Sequence, residues 1–146
     1  MYFYEYLFVR TSIFWLLFAG TLGFLFYLEP ALLGPWRSVH VHAGVVGFFL
    51  NLVFGVAYWM MPRPGQIKQP GLEAATFWTL NLGLSLRVVV EPFPEVFGPA
   101  YRDLLALAAF LQLVAMFIFA FAMHRRVVTN EMLWRLRKER EKRQRE

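Results

Sequence analysis

The chain has 146 residues, of which 58% are hydrophobic and 18% aromatic, and its mean hydropathy is positive. This composition is typical of integral membrane proteins and argues against a soluble domain. Because the chain contains no cysteine, disulfides, thiolate metal sites and cysteine nucleophiles are excluded.

Four runs of about 18 or more residues with few charges predict four membrane-spanning helices. The predicted spans are Thr11–Leu28, Val39–Met61, Ala74–Val90 and Leu104–Met123. Segments rich in proline and glycine separate them, at residues 29–35, 62–65 and 91–99. Residues 1–126 are therefore predicted to form one all-α, four-helix membrane domain.

The distribution of charge predicts the orientation of these helices. Basic and acidic residues balance up to Met123, so the whole net charge of +5 lies in the tail that follows. The tail and the loop with Arg63 and Lys68 fall on one side of the array, and the positive-inside rule places both termini in the cytoplasm of a prokaryotic-type cell. Residues 127–146 are predicted to form a basic amphipathic helix on the anionic inner leaflet, with no nucleic-acid partner.

Three polar or small features of the other helices have competing interpretations. In the first helix, Gly20 and Gly23 favour close helix packing. In the third, Arg87 lies about one turn before Glu91 and either extends to water or holds an anion. His124, at the end of the fourth helix, is interpreted as an interfacial side chain, and a role as a ligand is the weaker alternative because no partner lies nearby in the sequence.

His40 and His42 are the most informative residues of the second helix. Residues two apart on an α-helix differ by about 200° in direction, so the two side chains cannot bind one ion from within one chain. The His40 side of the helix continues through small residues and one amide, a stripe that leaves room for a neighbouring helix or a flat ligand. These positions are Gly44, Gly47, Asn51, Gly55 and Tyr58.

Two interpretations of the histidine pair are open at this point. Both side chains would lie at the wet boundary of the helix while the glycines make packing contacts, or both would be ligands. A structural zinc site would need more ligands than this end of the chain offers. A haem iron needs one axial nitrogen on each side, so neighbouring subunits would be able to supply one each.

The run HVHAGVVGFFLNLVFGVAYWMMPR, residues 40–63, resembles the tenth transmembrane helix of the catalytic subunit of haem–copper oxidases, most closely the cbb-type enzymes. It is also similar to short four-helix proteins described as oxidase subunit I-like, within the nitric oxide reductase superfamily. The remainder of the chain agrees with this family in topology only. The matching positions are His40, His42, Gly44, Gly47, Phe54, Gly55, Tyr58 and Pro62.

The resemblance implies that His40 and His42 are axial ligands of different haems, with Gly44 and Gly47 leaving room for the macrocycle. The cofactor is predicted to be haem b, because no CxxCH motif is present for covalent attachment. No histidines match the copper ligands of the family. The predicted function is electron transfer, or binding of a diatomic gas such as NO or O2. The alternative is a non-enzymatic accessory or assembly subunit of a respiratory oxidase or NO reductase complex.

The family architecture also implies an oligomer, because its twelve helices form three arcs of four. Three copies of this chain are therefore predicted to form a homotrimer in which His40 of one protomer and His42 of the next hold one haem. Arg37 and Arg87 are predicted to pair with the haem propionates. For Arg37, an ordinary loop charge is the alternative.

Overall fold

The computed structural model describes residues 3–61, 69–124, 126 and 130–144, and these residues form helices joined by turns, with no strand among them. The predicted all-α class is confirmed. The helices are α1 (Phe3–Leu28), α2 (Pro30–Met60), α3 (Pro70–Val90), α4 (Pro94–His124) and the tail helix α5 (Asn130–Arg143). The predicted breaker at residues 62–65 lies outside the described residues.

The second helix changes its hydrogen-bonding pattern twice along its length. It opens with a 3-10 turn at Pro30–Leu32 and is α-helical over Leu33–His42. It is then π-helical over Ala43–Leu50, and α-helical again over Asn51–Met60. Segments of π-helix are rare and occur frequently at functional sites. This one begins directly after His42.

The helices begin earlier than the predicted spans. α1 starts at Phe3 rather than Thr11, so Phe3, Tyr4 and Tyr6 belong to the first helix. Pro30, Pro70 and Pro94 stand in the first turns of helical segments rather than in the linkers. Proline is favoured there because the first helical N–H groups have no partner within the helix.

Within the part of the chain that the structure describes, three helices, α1, α2 and α4, are long and apolar enough to cross a membrane. The 26 residues of α1 extend over about 39 Å at ~1.5 Å per residue, more than the roughly 30 Å of a hydrocarbon core. These lengths and compositions indicate an integral membrane protein. α3 is a helix of 21 residues, but it is not among these three, and the predicted crossing at Ala74–Val90 stays a prediction.

Consecutive helices run antiparallel. The start of α1 meets the end of α2, where the backbone at Gly55 lies against Phe8. One turn before Gly55 in α2, Asn51 contacts Asn81 of α3. α3 in turn packs closely on α4, because Gly83 has no side chain to separate the two backbones.

Aromatic side chains fill the core at one end of this bundle, hereafter the aromatic end. Its members are Phe8, Phe54, Tyr58, Phe77 and Phe119. The rings of Phe54 and Phe119 stack with centroids 3.8 Å apart, and Phe8 meets Phe77 edge to face at 5.1 Å. These contacts join α1 and α4 to the central pair α2 and α3. His40 and His42 lie at the opposite end, hereafter the histidine end.

Several polar residues of α3 are buried, while some of its large apolar residues are exposed. The buried polar residues are Glu73, Thr76 and Asn81. The exposed large apolar residues include Trp78, Leu82 and Val89. The polar residues that lower the hydropathy of α3 therefore face other helices, which satisfy them by hydrogen bonds.

Candidate functional site

His40 is held by the backbone of α1. Its Nδ1 atom lies 3.0 Å from the carbonyl oxygen of Ala19, and its ring meets Phe26 edge to face at 5.5 Å. The ring fits here because Gly23 has no side chain, and a Cβ at Gly23 would lie 3.2 Å from the Cε1 atom of His40. A carbonyl oxygen only accepts hydrogen bonds, so Nδ1 carries the proton.

His42 is held by its own helix. Its Nδ1 atom lies 2.8 Å from the carbonyl oxygen of Ser38 and 3.4 Å from the Ser38 hydroxyl. The Ser38 hydroxyl donates its own proton to Glu91, at 2.8 Å. Nδ1 of His42 is therefore the donor to both Ser38 oxygens.

The two histidines thus share one protonation pattern. In a neutral imidazole only one nitrogen carries a proton, so donation from Nδ1 makes Nε2 the nitrogen with the free electron pair. Metal-ligating histidines nearly always donate the other ring N–H to a carbonyl or carboxylate, which fixes the tautomer and the ring orientation. His40 and His42 both have this arrangement, with separate partners on α1 and on α2.

A polar network connects the His42 site to α3. Glu91 accepts from the Ser38 hydroxyl and from Arg87, whose Nε and Nη2 atoms lie 3.2 and 3.3 Å from its two oxygens. Arg87, predicted to hold a propionate, is thus paired with Glu91 in this structure. Tyr101 donates to the carbonyl of Glu91 at 3.2 Å. Arg37, the other predicted propionate partner, is exposed.

A cavity of about 540 Å³ adjoins this network. Its walls come from the segment Leu33–His42 of α2, from the turn between α3 and α4, and from the start of α4. They include Gly34, Pro35, Ser38, Glu91, Phe93 and Tyr101. Ser38 and Tyr101 both bond to Glu91, so these polar groups satisfy one another.

α1 packs against the small-residue stripe of α2. A Cβ at Gly47 would lie 2.5 Å from Cγ of Trp15, and one at Gly55 would lie 2.8 Å from Cβ of Phe8. Of the two predicted occupants of the stripe, a neighbouring helix and a flat ligand, the helix is present at these two positions. A Cβ at Gly44 would meet nothing within 4 Å, so that backbone is open.

Two buried asparagines lie beside the π-helical segment. The Asn51 amide donates to the carbonyls of Val46 at 3.1 Å and Gly47 at 2.9 Å. Asn81 donates to Asn51 Oδ1 at 2.9 Å, and its own Oδ1 accepts from Trp15 Nε1 at 3.4 Å. The sequence offered one signal for this cluster, since an amide inside an apolar helix requires a polar partner.

The donor set fits a haem better than a metal ion held by one chain. Among the described residues, no three histidine, cysteine, aspartate or glutamate side chains lie close enough together to hold a metal ion. A haem iron takes its remaining nitrogens from the macrocycle and needs only one axial ligand from each side. A single imidazole with its Nδ1 proton fixed meets that requirement.

Comparison of the chain with protein-family models, with curated proteins and with solved structures gave no match. The resemblance of residues 40–63 to a helix of haem–copper oxidases therefore stays a prediction from the sequence.

Proposed function

We propose that this chain is the subunit of a membrane b-type haem protein related to the haem–copper oxidase and nitric oxide reductase superfamily, without the copper site. The observation that carries the proposal is the shared geometry of His40 and His42. Each ring donates its Nδ1 proton to a backbone carbonyl, which leaves Nε2 as the ligand nitrogen.

The haem, when bound, would supply one-electron transfer, with its potential set by burial and by the identity of the axial ligands. His40 and His42 would each hold one iron on different faces of the helix. If both axial positions are filled by histidine, electron transfer is the function. If one position is open, the iron binds NO or O2.

A homotrimer completes the proposed site, with His40 of one protomer and His42 of the next on the same haem. Membrane crossing by α3, with both termini in the cytoplasm, is part of this proposal. It is supported by the outward apolar face of α3, which includes Trp78, Leu82 and Val89. Buried polar and exposed apolar residues are the pattern that a helix needs in lipid.

A second candidate is an accessory or assembly subunit without haem. It is favoured by the packing of Trp15 against Gly47, since a helix already occupies part of the stripe that resembles the oxidase. In that case the resemblance would reflect a helix-packing pattern alone.

The test is the absorption spectrum of the oxidised and reduced protein, purified after haem-replete expression, with and without NO. We expect a Soret band in the wild-type protein and its loss or reduction in His40→Ala and His42→Ala. His124→Ala is the matched control, because His124 is exposed at the end of α4, and its spectrum should equal that of the wild type. A colourless wild-type protein would exclude the haem proposal and leave the accessory subunit.

The trimer has a separate test. Native mass measurement in detergent should give three chains, and the haem content per chain should fall when the trimer is dissociated. A haem-loaded monomer or dimer would contradict shared ligation between protomers.

A further inference from the structure

We infer that Asn51 is a positioning residue, which together with Asn81 holds the π-helical segment Ala43–Leu50 and thereby sets the direction in which His40 and His42 face. The inference rests on the proposed function only for the identity of the ligand that the histidines bind. The geometry that it concerns, the rotation of one half of α2 relative to the other, is measurable without haem.

The π-helical segment separates two α-helical halves of α2. The histidines lie on the half Leu33–His42, and the contacts to α3 at the aromatic end lie on the half Asn51–Met60. Each residue of an α-helix turns the chain by about 100°, and π-helical hydrogen bonds span one more residue than α-helical ones. If the segment returned to α-helix, the histidine half would rotate by up to about 100° relative to the other half.

The Asn51 side chain is bonded where the helix changes from π to α. Its amide donates to the carbonyls of Val46 and Gly47, five and four residues earlier. The side chain is completely buried, so water cannot replace it as a donor to these carbonyls. Buried backbone carbonyls require a hydrogen-bond partner. The Asn51 side chain supplies a donor that is part of neither the π-helical nor the α-helical backbone pattern.

Asn81 and Trp15 connect this junction to two other helices. Asn81 donates to Asn51 Oδ1 and also to the carbonyl of Phe77 on its own helix. Its Oδ1 accepts from Trp15, whose ring lies against Gly47 inside the π-helical segment. α1 and α3 therefore both fix the side chain that holds the segment.

The test compares Asn51→Leu with Tyr58→Phe. Tyr58 lies on the other half of α2 and its hydroxyl also bonds to α3, at Thr76, at 2.8 Å. Both variants remove a buried hydrogen bond between α2 and α3, but only the first removes the donor to the Val46 and Gly47 carbonyls.

The first readout is the distance between two spin labels. The chain has no cysteine, so pairs of cysteines can be introduced at exposed positions and labelled without background from native cysteines. The pair Val41→Cys and Phe24→Cys reports the histidine half, and the pair Val53→Cys and Ile13→Cys reports the other half.

We expect Asn51→Leu to shift the distance of the Val41 pair and leave that of the Val53 pair unchanged. Tyr58→Phe should change neither. Should Asn51→Leu fail to fold, the smaller Asn51→Ala also removes the donor to the Val46 and Gly47 carbonyls, and the same shift is expected. A folded Asn51 variant with unchanged distances would overturn the inference.

The second readout is the midpoint potential and the reduced-minus-oxidised spectrum of the haem-loaded protein. Asn51→Leu should shift both, because axial imidazole orientation affects the haem, whereas Tyr58→Phe should leave them unchanged even if it unfolds at lower temperature. Equal spectra in all three proteins would also contradict the inference. A wild-type protein without haem would defeat the proposed function, while the label distances would still decide the role of Asn51.

Discussion

Arg126 and Glu73 form a buried ion pair at the aromatic end, with Nη2 of the arginine 2.9 Å from Oε1 of the glutamate. The two side chains are 0% and 6% exposed. The same guanidinium donates to the carbonyl of Tyr58 at 2.9 Å and lies 4.9 Å from the centre of its ring. Arg126 follows the end of α4, so this one side chain connects the base of the tail to α2 and α3.

Arg126→Met should strongly destabilise the protein. Removing one member of a buried ion pair leaves the other charge without compensation, at a cost of about 3–5 kcal/mol. The measurement is chemical unfolding in detergent, followed by circular dichroism. Arg102→Met is the control, because Arg102 is exposed and its loss should have little effect.

The double variant Arg126→Met/Glu73→Gln separates charge from packing. With the glutamate neutralised, neither member of this pair carries a charge, and a large part of the lost stability should return. A double variant as unstable as Arg126→Met alone would mean that packing of the arginine, rather than the ion pair, is responsible.

The sequence predicted the helices far better than it predicted this pair. Apolar runs and proline-containing breaks identify the helices because lipid requires long, internally hydrogen-bonded segments. Arg126 belongs by composition to a basic tail, for which a wet surface is the expected environment. The signal that would have located it is Glu73, an acidic residue at the start of an apolar helix on the same predicted side of the membrane.

Gly47→Ala should destabilise the bundle, whereas Gly44→Ala should not. A Cβ at Gly47 would lie 2.5 Å from Cγ and 2.8 Å from Cβ of Trp15, and one at Gly44 would meet nothing within 4 Å. We expect Gly47→Ala to lower the free energy of unfolding by about 1–3 kcal/mol, as overpacked sites do. Thermal unfolding in detergent measures the difference between the two variants.

The cost of Gly47→Ala should be smaller, but still present, when it is measured against Trp15→Ala rather than against the wild type. The Cβ atom of Trp15 is itself within 2.8 Å of the added methyl group, and every residue except glycine retains that atom. Equal stability of Trp15→Ala and Trp15→Ala/Gly47→Ala would show that the ring alone causes the clash. Equal stability of Gly44→Ala and Gly47→Ala would contradict the packing of α1 on this stripe.

The candidate site was only partly predictable for a related reason. The separation of His40 and His42 follows from α-helical geometry, which holds over Leu33–His42. The small-residue stripe that follows them in α2 was also predicted from α-helical geometry, but Ala43–Leu50 is π-helical. The residues of this segment are equally compatible with an α-helix, and the π form is held by Asn51, which bonds to its own helix and to Asn81 of α3. Such long-range partners are not visible in local sequence patterns.

Ser38→Ala should lower the free energy of unfolding while His42 keeps its hydrogen bond to the backbone. The variant removes the hydroxyl that donates to Glu91 at 2.8 Å, while the bond from His42 to the backbone carbonyl of residue 38 is retained. We expect a loss of roughly 1–2 kcal/mol, because the acceptor is a partly buried carboxylate that keeps its bonds to Arg87. Ser85→Ala, at an exposed serine of α3, is the matched control in the same unfolding measurement. A change in the protonated nitrogen of His42, read from nitrogen-15 chemical shifts, would show that the hydroxyl rather than the carbonyl fixes its tautomer.

Gly23→Ala offers a probe of His40 that leaves the fold in place. The added methyl group would lie 3.2 Å from Cε1 of His40, so the ring must move by a few tenths of an ångström and its bond to the Ala19 carbonyl must adjust. Because alanine also favours the helix by up to about 1 kcal/mol over glycine, overall stability should change little. Gly20→Ala is the control, since a Cβ at Gly20 meets nothing within 4 Å.

The chain has three histidines, so the nitrogen-15 signals of their rings can be assigned by single substitutions. We expect Gly23→Ala to shift the His40 signals and to leave those of His42 and His124 in place, with no change in Gly20→Ala. In the haem-loaded protein the same variant should shift the reduced spectrum, because His40 is the proposed ligand. Unchanged His40 signals in Gly23→Ala would mean that His40 does not lie against α1 at this glycine, and the Nδ1 bond to Ala19 would then no longer support a role in ligation.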